Sequence, residues 1–589
     1  MSSMKQRQGN RNNKLSKRNK NQLVGYFQKP KGSRSYCIVD QTSERTYKIG
    51  RAELHKAFPG DLVHYHVTPK GWASIDKVVK NNTENFIGKI KKKGKALFSS
   101  PVGLEDIVRI KITGDIPNKI STEALVEIII TKQPASKIMG EGYIKRIISE
   151  DNILEMASAL SVSKHNLRTE WNKSIVQDSQ RLAKTLIGPE EGYVDLREKS
   201  FVTIDGKTAK DFDDAVFSEK NASGEPILYV AIADVGRFVS PGSAMDKEAE
   251  ERGTSVYFTQ KVIPMLPEII SNDLCSLRPK EDRYCLVCKT SLSQEGEPKE
   301  VEFFQAIINS KARLTYENVA EQMKVNKFSD PYSESLKNLV DIYKILKKAK
   351  KNRGALELDI PFYVPQFNGN KINKFINTSR NEAHLLIEEC MLLANICAAK
   401  ILMKAKIPSI YRIHPKPDPL KIKNLEGFAR SRKININLGN DGKVKELSNL
   451  VDMTKDRKDK ETIHMQILQS LSLAIYETEV SEHFALGYPA YTHFTSPIRR
   501  YPDLMVHRAL KSLIKTAQDG VISLSTIRPL TVNKDLYPYN SDSVEEIASG
   551  SSTKERLAEK AEREAINYLK CEFAKDNIGN EFKGVISGV

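Results

Sequence analysis

The sequence predicts a multidomain protein in which two small β-barrels in tandem precede a large α+β domain. Short strands separated by turn residues begin near Leu23 and start again at Phe86, in "FIGKIKKKGKALFSS", which gives two barrels of about sixty residues each. From residue 196 to 515, strands and helices mix without a regular alternation, which favours an α+β domain. The 589 residues suffice for about three to five domains.

The beginning of the chain is polar and basic, and residues 1–21 are predicted to form a disordered arm. Ten Lys or Arg and no acidic residue precede Asp40, and such a segment buries too little apolar surface to fold. The arm either solubilises the chain or follows a phosphate backbone. It lacks the apolar stretch of a secretory signal, so the mature chain is expected to begin at Met1.

The composition indicates a polyanionic partner and a reducing compartment. Ninety-two Lys and Arg against 74 Asp and Glu give a net charge of +18, which suits a nucleic acid or an acidic membrane surface. The most apolar long segment, 385–403, contains Glu388, Glu389 and Lys400, so it predicts a buried helix and no membrane span. Seven cysteines, an odd number in a long chain, favour the cytoplasm over a disulfide framework.

The stretch "TIDGKTAKDFDDAVF" places four aspartates within ten positions. Asp205 follows a β-branched strand, while Asp211, Asp213 and Asp214 lie across a loop that leads into a second strand, "AVF". Carboxylates this close raise one another's proton affinity unless a cation neutralises them. Oxygen ligands without clustered His or Cys select a hard ion, so the cluster predicts a Mg²⁺ site that also accepts Mn²⁺. The alternative is a solvated acidic turn.

A metal site on a basic protein indicates phosphoryl transfer, in which two ions about 4 Å apart activate a water and stabilise the leaving oxygen. Arg499 and Arg500 stand just ahead of a helix that is expected to begin near Pro502. Two cations at a helix N-terminus oppose its dipole unless an anion joins them. A phosphate would resolve this conflict. The alternative is an ion pair with Asp503.

Three further features bear on the binding sites or on the organisation of the chain. Glu388 and Glu389 lie in an apolar helix, where a buried carboxylate needs a partner, either a nucleotide group or a salt bridge to a neighbouring domain. Tyr257 and Tyr316 are ordinary strand or loop aromatics on sequence grounds alone. A Ser-rich and Asp-rich break, "YNSDSVEEIASGSS", is predicted to precede the charged helix "TKERLAEKAEREAINYLKCEFAKD".

Six ordered segments spread over about 300 residues resemble the bacterial ribonuclease R and ribonuclease II exoribonuclease family. The resemblance as a whole covers about residues 20 to 589, including the tandem barrels but not the basic arm. The segments are "TIDGKTAKDFDDAV", "VAIADVGRFVSPGS", "RGTSVYF", "VIPMLP", "LIEECMLLAN" and "AYTHFTSPIRRYPDL". Ribonuclease R is the nearer branch, mainly through "THFTSPIRRYPDL". The resemblance implies tandem OB-like barrels of the cold-shock type followed by a large α+β catalytic domain of the ribonuclease II type.

The resemblance also implies an activity, which is processive, metal-dependent hydrolysis of single-stranded RNA from the 3′ end with release of nucleoside 5′-monophosphates. It implies that Mg²⁺ is the cofactor and that single-stranded RNA is the partner. A cytoplasmic monomer without membrane contact is expected. Two other hypotheses remain open, namely an inert RNA-binding or chaperone protein that works through its barrels, and a DNA exonuclease.

Motif by motif, the resemblance assigns Asp205, Asp211, Asp213 and Asp214 to the metal site, with Asp213 as the indispensable member. Arg499 would stabilise the scissile phosphate, assisted by Arg500.

The RNA-binding roles also follow from the resemblance alone. Tyr257 would stack on the 3′-terminal base. Tyr316 and Glu388 would read the terminal nucleotides and their 2′-hydroxyls, which distinguish RNA from DNA. Glu562 falls on a family position near the RNA channel.

Two departures from the family pattern are expected to matter. Leu358 stands where the family has a phenylalanine that sandwiches the last base, so the sandwich is either one-sided or borrows Phe362. The family also has a C-terminal OB-type RNA-binding domain after a segment like "FKGVISGV", and this sequence contains only its start. The chain is therefore either a fragment or a weaker RNA binder.

The predicted boundaries are 1–21 for the basic arm, 22–82 and 83–140 for the barrels, 141–195 for a mainly helical connector, 196–570 for the catalytic domain with its C-terminal helices, and 571–589 for the truncated OB-type domain.

Overall fold

The computed structural model divides the chain into two compact units, Met1–Leu167 and Arg168–Val589. Each unit has a hydrophobic core of its own. The structure describes residues 23–29, 35–104, 108–114, 125–135, 138–148, 152–358, 360–369, 371–439, 442–530, 532–582 and 584. The predicted basic arm, 1–21, lies outside the described residues.

The described part of the first unit consists mainly of two five-stranded barrels. Their strands are β1 (Leu23–Gln28), β2 (Cys37–Asp40), β3 (Thr46–Lys48), β4 (Leu62–Val67) and β5 (Ala73–Lys80), then β6 (Asn85–Lys93), β7 (Ala96–Pro101), β8 (Ile110–Ile112), β9 (Leu125–Lys132) and β10 (Gly140–Ile147). The first sheet has the order β3-β2-β1-β4-β5, and a parallel bridge from Ile49 to Ala73 joins its ends. The second is a closed barrel in the order β8-β7-β6-β9-β10, in which β10 pairs with β8 in parallel. The shared strand order is that of an OB-type Greek-key barrel, so the predicted tandem barrels are confirmed.

Glycine in the first strand of each barrel allows close packing. A Cβ atom on Gly25 would lie 2.6 Å from Ile38 Cγ2, and a Cβ on Gly88 would lie 2.2 Å from the carbonyl oxygen of Ser100. Neither position has room for a side chain, which is a common reason for glycine inside a strand. Helix α1 (Ile153–Lys164) follows the second barrel and packs against β6, where Ser163 Oγ accepts a hydrogen bond of 3.0 Å from Ile87 N.

The second unit contains a mixed sheet surrounded by helices. Its strands are β11 (Val194–Asp195), β12 (Val202–Asp205), β13 (Asp214–Lys220), β14 (Pro226–Ala233), β15 (Val256–Tyr257), β16 (Val262–Ile263), β17 (Asp282–Leu292), β18 (Pro298–Asn309), β19 (Ala312–Thr315), β20 (Phe362–Asn368), β21 (Lys371–Thr378), β22 (Tyr411–Ile413), β23 (Ile475–Glu477) and β24 (Val521–Ser523). The main sheet has the order β11-β18-β17-β14-β13-β12-β19, and β24 pairs with β18. The predicted α+β class is confirmed.

The helices of the second unit cover this sheet and extend beyond it. They are α2 (Lys173–Leu182), α3 (Ala244–Arg252), α4 (Tyr316–Val325), α5 (Ser333–Arg353), α6 (Glu382–Ala405), α7 (Pro419–Ser431), α8 (Val444–Thr454), α9 (Lys460–Ser470), α10 (Tyr501–Ile514) and α11 (Ser541–Lys575). Helix α6 packs against β14, β17 and β18 and is largely buried, as its apolar sequence predicts. No helix in the described part of the chain combines the length and the apolar character needed to cross a membrane.

Three details of the predicted layout differ from the structure. Strand β10 completes the second barrel and runs to Ile147, past the boundary placed at residue 140. The break predicted at "YNSDSVEEIASGSS" is wrong, because helix α11 already begins at Ser541. Asn540 caps that helix through a capping box, and Val544 and Ala548 are buried. Of the segment predicted to start an OB-type domain, 571–575 belongs to α11, and 583 and 585–589 lie outside the described residues.

Candidate active site

The aspartate-rich loop lies between two neighbouring strands of the main sheet. Asp205 is the last residue of β12 and Asp214 the first of β13, as the sequence predicts, and the two strands pair through Val202 and Val216. Pairing of β12 with β13 therefore brings both ends of the loop together. Asp213 is buried, with only 4% of its surface exposed.

A second segment, far along the chain, meets Asp213. The backbone nitrogen of Ile498 donates a hydrogen bond of 2.9 Å to Asp213 Oδ1, and Arg499 Nε lies 3.8 Å from Asp213 Oδ2. The backbone carbonyl of Arg499 accepts a hydrogen bond from Ser255 N, at 2.9 Å. The side chain of Arg499 is 42% exposed. The guanidinium is thus held beside the aspartates while part of it stays accessible to a ligand.

Burial raises the pKa values of the aspartates, and the charges of neighbouring aspartates add to this effect at Asp205 and Asp213. Burial and the charges of Asp214 and Asp211 raise the pKa of Asp205 to about 8, while burial raises the pKa of Asp214 to about 6. Burial also raises the pKa of Asp213, against the opposing influence of Arg499. The protein alone therefore does not supply enough positive charge to neutralise this cluster.

Asp205 Oδ2 is buried and has no hydrogen-bond partner. An orphaned carboxylate oxygen in an all-oxygen cluster fits a hard divalent ion. Across the described residues, however, no three or more His, Cys, Asp or Glu side chains form a group that could hold a metal ion. The aspartates lie near one another without forming a complete ligand set.

Tyr257 connects the aspartate cluster to helix α11. Its hydroxyl donates a hydrogen bond of 2.9 Å to Asp211 Oδ2, and its backbone nitrogen donates one of 2.6 Å to Glu562 Oε1. Burial raises the pKa of Glu562, against the lowering effect of the bond from Tyr257. Three residues that the resemblance assigned to metal and RNA binding are therefore in direct contact.

Tyr316, the first residue of α4, is half-buried and directly follows Thr315, which is the strand partner of Asp205 between β19 and β12. Burial, followed by the charges of Asp214 and Asp205, raises its pKa. One face of its ring is stacked on His384, with the ring centres 3.8 Å apart and the planes 18° from parallel. Base stacking on that face is therefore blocked.

The two glutamates of α6 have protein partners. Glu388 Oε2 is 2.7 Å from Arg380 Nη1, and its Oε1 is 3.4 Å from Lys350 Nζ. The buried Glu389 is 2.9 Å from the same Lys350 nitrogen. The ion pairs expected as the alternative to nucleotide contacts are therefore present, although within the second unit. The role of Glu388 towards RNA stays a prediction.

Arg500 differs from Arg499 in that its charge is already neutralised. Its Nη2 lies 2.8 Å from Oδ1 of the fully buried Asp503, the ion pair expected as the alternative to phosphate. Asp503 Oδ1 also accepts a hydrogen bond from Ser496 N at 2.8 Å. Helix α10 begins at Tyr501, close to the predicted start. Of the two arginines, Arg499 is the one that faces the aspartates.

Two residues near the cluster were not predicted. Arg313 on β19 donates hydrogen bonds of 2.8 and 2.6 Å to the carbonyls of Gly206 and Lys207, and its charge opposes the rise in the pKa of Asp205. His384 carries the stack on Tyr316. The Asn381-x-x-His384 spacing ahead of an apolar helix was a usable signal for the second residue, because it matches a capping pattern. The sequence gives no comparable signal for Arg313.

Comparisons with known proteins agree with this architecture. Residues 193–516 match the model of the RNB domain. Ribonuclease R of Escherichia coli K12 is 38% identical over 473 residues, which are 79% of this chain and 57% of that protein. Ribonuclease R of Buchnera aphidicola from Acyrthosiphon pisum is 32% identical over 563 residues, which are 93% of this chain and 76% of that protein.

Two solved structures extend the comparison. Mycoplasma genitalium RNase R in complex with ribose-methylated single-stranded RNA has a TM-score of 0.82 at 26% identity, with 96% of this chain and 89% of that chain covered. Yeast Ssd1, a pseudonuclease, has a TM-score of 0.63 at 17% identity and covers 94% of this chain and 74% of its own. The chain spans little more than half the length of the E. coli relative. From the RNB-domain match and the ribonuclease R relatives together, the chain belongs to the ribonuclease R family of RNB-domain proteins.

Proposed function

We propose that the chain is a processive 3′ to 5′ exoribonuclease that degrades single-stranded RNA to nucleoside 5′-monophosphates. The contact of Ile498 and Arg499 with Asp213 carries this proposal, because it places an accessible guanidinium beside a carboxylate cluster that lacks countercharge. Two-metal phosphodiester hydrolysis combines an anion-binding group with a metal-binding group in this way. Membership of the ribonuclease R family supports it.

Asp205, Asp211, Asp213 and Asp214 would hold Mg²⁺, with Mn²⁺ as a substitute. Their donor atoms are all oxygens, and the orphaned Asp205 Oδ2 fits a cation. When bound, divalent ions would activate a water and neutralise charge on the scissile phosphate.

The residues around the cluster would bind and orient the RNA end. Arg499 would bind the scissile phosphate with charge-assisted hydrogen bonds. The ring of Tyr257 would stack on the terminal base, and the bond from Glu562 would fix the backbone that carries this ring. Tyr316 would contact the terminal nucleotide from the side of Asp205 and Asp214. Arg500 would act indirectly, because its pair with Asp503 holds the segment that presents Arg499.

The test uses a single-stranded RNA labelled at its 5′ end and incubated with the protein and Mg²⁺. Stepwise shortening from the 3′ end with release of 5′-monophosphates is expected, and it stops in EDTA. Internal cuts, or hydrolysis that persists in EDTA, would contradict the proposal. A DNA oligomer of matched sequence serves as the control, and its equal degradation would favour the DNA exonuclease hypothesis.

The main alternative hypothesis is that the chain binds RNA without hydrolysing it. The pseudonuclease Ssd1 has the same fold, so the fold alone does not decide between the two. This chain retains all four aspartates and Arg499, which favours the enzyme. RNA binding without release of monophosphates in the presence of Mg²⁺ or Mn²⁺ would favour the hypothesis of an inert RNA-binding protein. The cytoplasmic location and the monomeric state stay predictions.

A further inference from the structure

The hairpin of β20 and β21 is basic and aromatic and contains no acidic residue. The segment 360–381, which includes both strands, has two Lys, one Arg, four aromatic residues and no Asp or Glu. Arg380 pairs with Glu388 on α6 at 2.7 Å. Lys371 and Lys374 are exposed, and neither forms an ion pair with a described residue. The hairpin therefore carries positive charge that the described part of the protein does not neutralise.

The strand register divides the side chains of the hairpin between two faces, because successive residues of a strand point to opposite sides. One of them, the open face, consists of three cross-strand pairs, which are Phe362 with Thr378, Val364 with Ile376, and Gln366 with Lys374. Phe362 is 62% exposed and Ile376 is 36% exposed. The open face is thus an accessible row with an aromatic ring at one end and a lysine at the other.

The opposite face attaches the hairpin to helix α11. Phe375, which pairs with the buried Pro365 on that face, meets the ring of Phe573 on α11. The two ring centres are 5.6 Å apart, and the planes are 77° from parallel, which is a favourable edge-to-face contact. This contact holds the hairpin in place and leaves the open face turned away from α11.

The open face begins at the end of the hairpin that is nearer to the aspartate cluster. Thr378 Oγ1 donates a hydrogen bond of 3.0 Å to the carbonyl oxygen of Phe362 and closes this end. A few residues further along the chain, Asn381 Nδ2 donates a hydrogen bond of 3.2 Å to the carbonyl oxygen of Tyr316. Tyr316 directly follows β19, which pairs with β12, the strand that ends at the aspartate cluster. Lys374 lies farther out, towards the tip of the hairpin.

We propose that the open face binds single-stranded RNA on the 5′ side of the reacting end, with the ring of Phe362 stacked on a base and Lys374 in contact with a phosphate. The inference rests on the proposed function, because the RNA held at the aspartates would continue onto the hairpin. Proteins bind single strands through aromatic rings that stack on bases and through cations that follow the backbone. Some RNA-binding sheets present aromatic residues to two or three bases on one open face. The absence of acidic residues makes the hairpin complementary in charge to such a strand.

The test measures the dissociation constant of a labelled RNA of about sixteen nucleotides in the Asp213→Asn background, so that binding is observed without hydrolysis. Phe362→Ala should weaken binding at least about fivefold, as expected for one lost stacked base. Lys374→Gln should lower the slope of the logarithm of affinity against the logarithm of salt concentration by about 0.7, the value for one phosphate contact of a single strand. Tyr363→Ala removes an exposed ring from the opposite face and serves as the control, with an expected change within about twofold. Thermal denaturation checks that each variant is folded.

A second series locates the stacked base. An abasic nucleotide is placed at each position of the RNA in turn, and the affinities of the parent and of Phe362→Ala are compared. At one internal position the abasic site should remove the difference between the two proteins. The inference would be overturned if the 3′-terminal position or no position removed it, since the terminal position would instead make Phe362 the second half of a sandwich around the last base.

Three other results would also overturn the inference. These are an unchanged affinity in Phe362→Ala, an unchanged salt slope in Lys374→Gln, and a loss in Tyr363→Ala equal to that in Phe362→Ala. Hydrolysis is measured separately with Asp213 present. Failure of the proposed function would therefore appear as absent hydrolysis, whereas failure of this inference would appear in the binding constants alone.

Discussion

The hydroxyl of Tyr257 donates a hydrogen bond to Asp211 Oδ2, 2.9 Å away. The same residue is bound through its backbone nitrogen to Glu562 on helix α11. A residue assigned to the terminal base is therefore also a direct partner of one of the carboxylates assigned to the metal. The proposed recognition of the RNA end would therefore be linked to the organisation of the aspartate cluster at one side chain.

The ring and the hydroxyl of Tyr257 have different proposed roles, and two substitutions can test them separately. Tyr257→Phe keeps the ring, so RNA affinity should stay within about twofold, whereas Tyr257→Ala should weaken binding by about 1–3 kcal/mol through the loss of one stacked base. Fluorescence anisotropy with a labelled RNA in the Asp213→Asn background measures both. Equal losses in the two variants would show that stacking is not the role of the ring.

Asp213→Asn should abolish hydrolysis while preserving RNA binding. The amide oxygen can still accept the hydrogen bond from Ile498 N, so the loop is expected to keep its conformation. The lost charge removes a carboxylate from the reaction site, and the rate should fall at least about a hundredfold. Single-turnover hydrolysis and the RNA dissociation constant are measured side by side. A tenfold weaker affinity would indicate that the loop has instead rearranged.

Substitution of Arg499 should mainly lower the rate of hydrolysis, whereas substitution of Arg500 should mainly lower the stability of the protein. Arg499→Ala removes an accessible group and should lower the rate about 10²- to 10³-fold with little change in the unfolding midpoint. Arg500→Ala leaves the buried Asp503 unpaired and should destabilise the second unit by about 3–5 kcal/mol. Thermal denaturation and single-turnover kinetics on both variants separate these effects. A stable but inactive Arg500→Ala protein would instead support a direct phosphate contact.

Mn²⁺ should stabilise the protein through Asp205. Binding to the native state alone raises the free energy of unfolding, by about 2.7 kcal/mol at a hundredfold excess over the dissociation constant. Asp205→Asn should abolish the rise in the melting temperature caused by Mn²⁺, and it should not lower the melting temperature in EDTA, because it removes a buried carboxylate whose pKa is raised to about 8. A Mn²⁺ response that survives in Asp205→Asn would place the ion elsewhere.

Two buried histidines of the second unit should each lower the free energy of unfolding as the pH falls from about 6.5 to 4, whereas the raised pKa values of Asp205 and Asp214 act in the opposite direction. Burial lowers the pKa of His507 to about 4 and that of His483 to about 3. Below pH 6.5 the unfolded chain binds protons that the folded chain does not, so each histidine makes the free energy of unfolding fall by about 1.4 kcal/mol per pH unit. In denaturant titrations at several pH values, removal of this histidine in His507→Gln should raise the free energy of unfolding relative to that of the parent by about 1.4 kcal/mol for each pH unit below 6.5. An unchanged slope would contradict the assignment to His507.

The sequence predicts local features of the site better than its long-range contacts. The strand ahead of Asp205, the buried helix α6 and the start of α10 near Pro502 follow from β-branched residues, apolar runs and proline, which act on neighbouring positions. The contact of Tyr257 with Glu562 joins residues 305 positions apart, and no local pattern specifies it.

The wrongly predicted break ahead of α11 has a related cause. Ser, Asp and Gly favour turns in isolation. Here the cap at Asn540 and the burial of Val544 and Ile547 outweigh that preference. Tertiary packing overrides weak local propensity.

The hydrogen bond from Ile498 to Asp213 spans 285 positions of the chain. A chain that is still being synthesised has its aspartate loop long before it has the segment that carries Arg499. Until that late segment emerges and docks, Asp213 and Arg499 are not in contact, so the proposed activity would arise only late in translation.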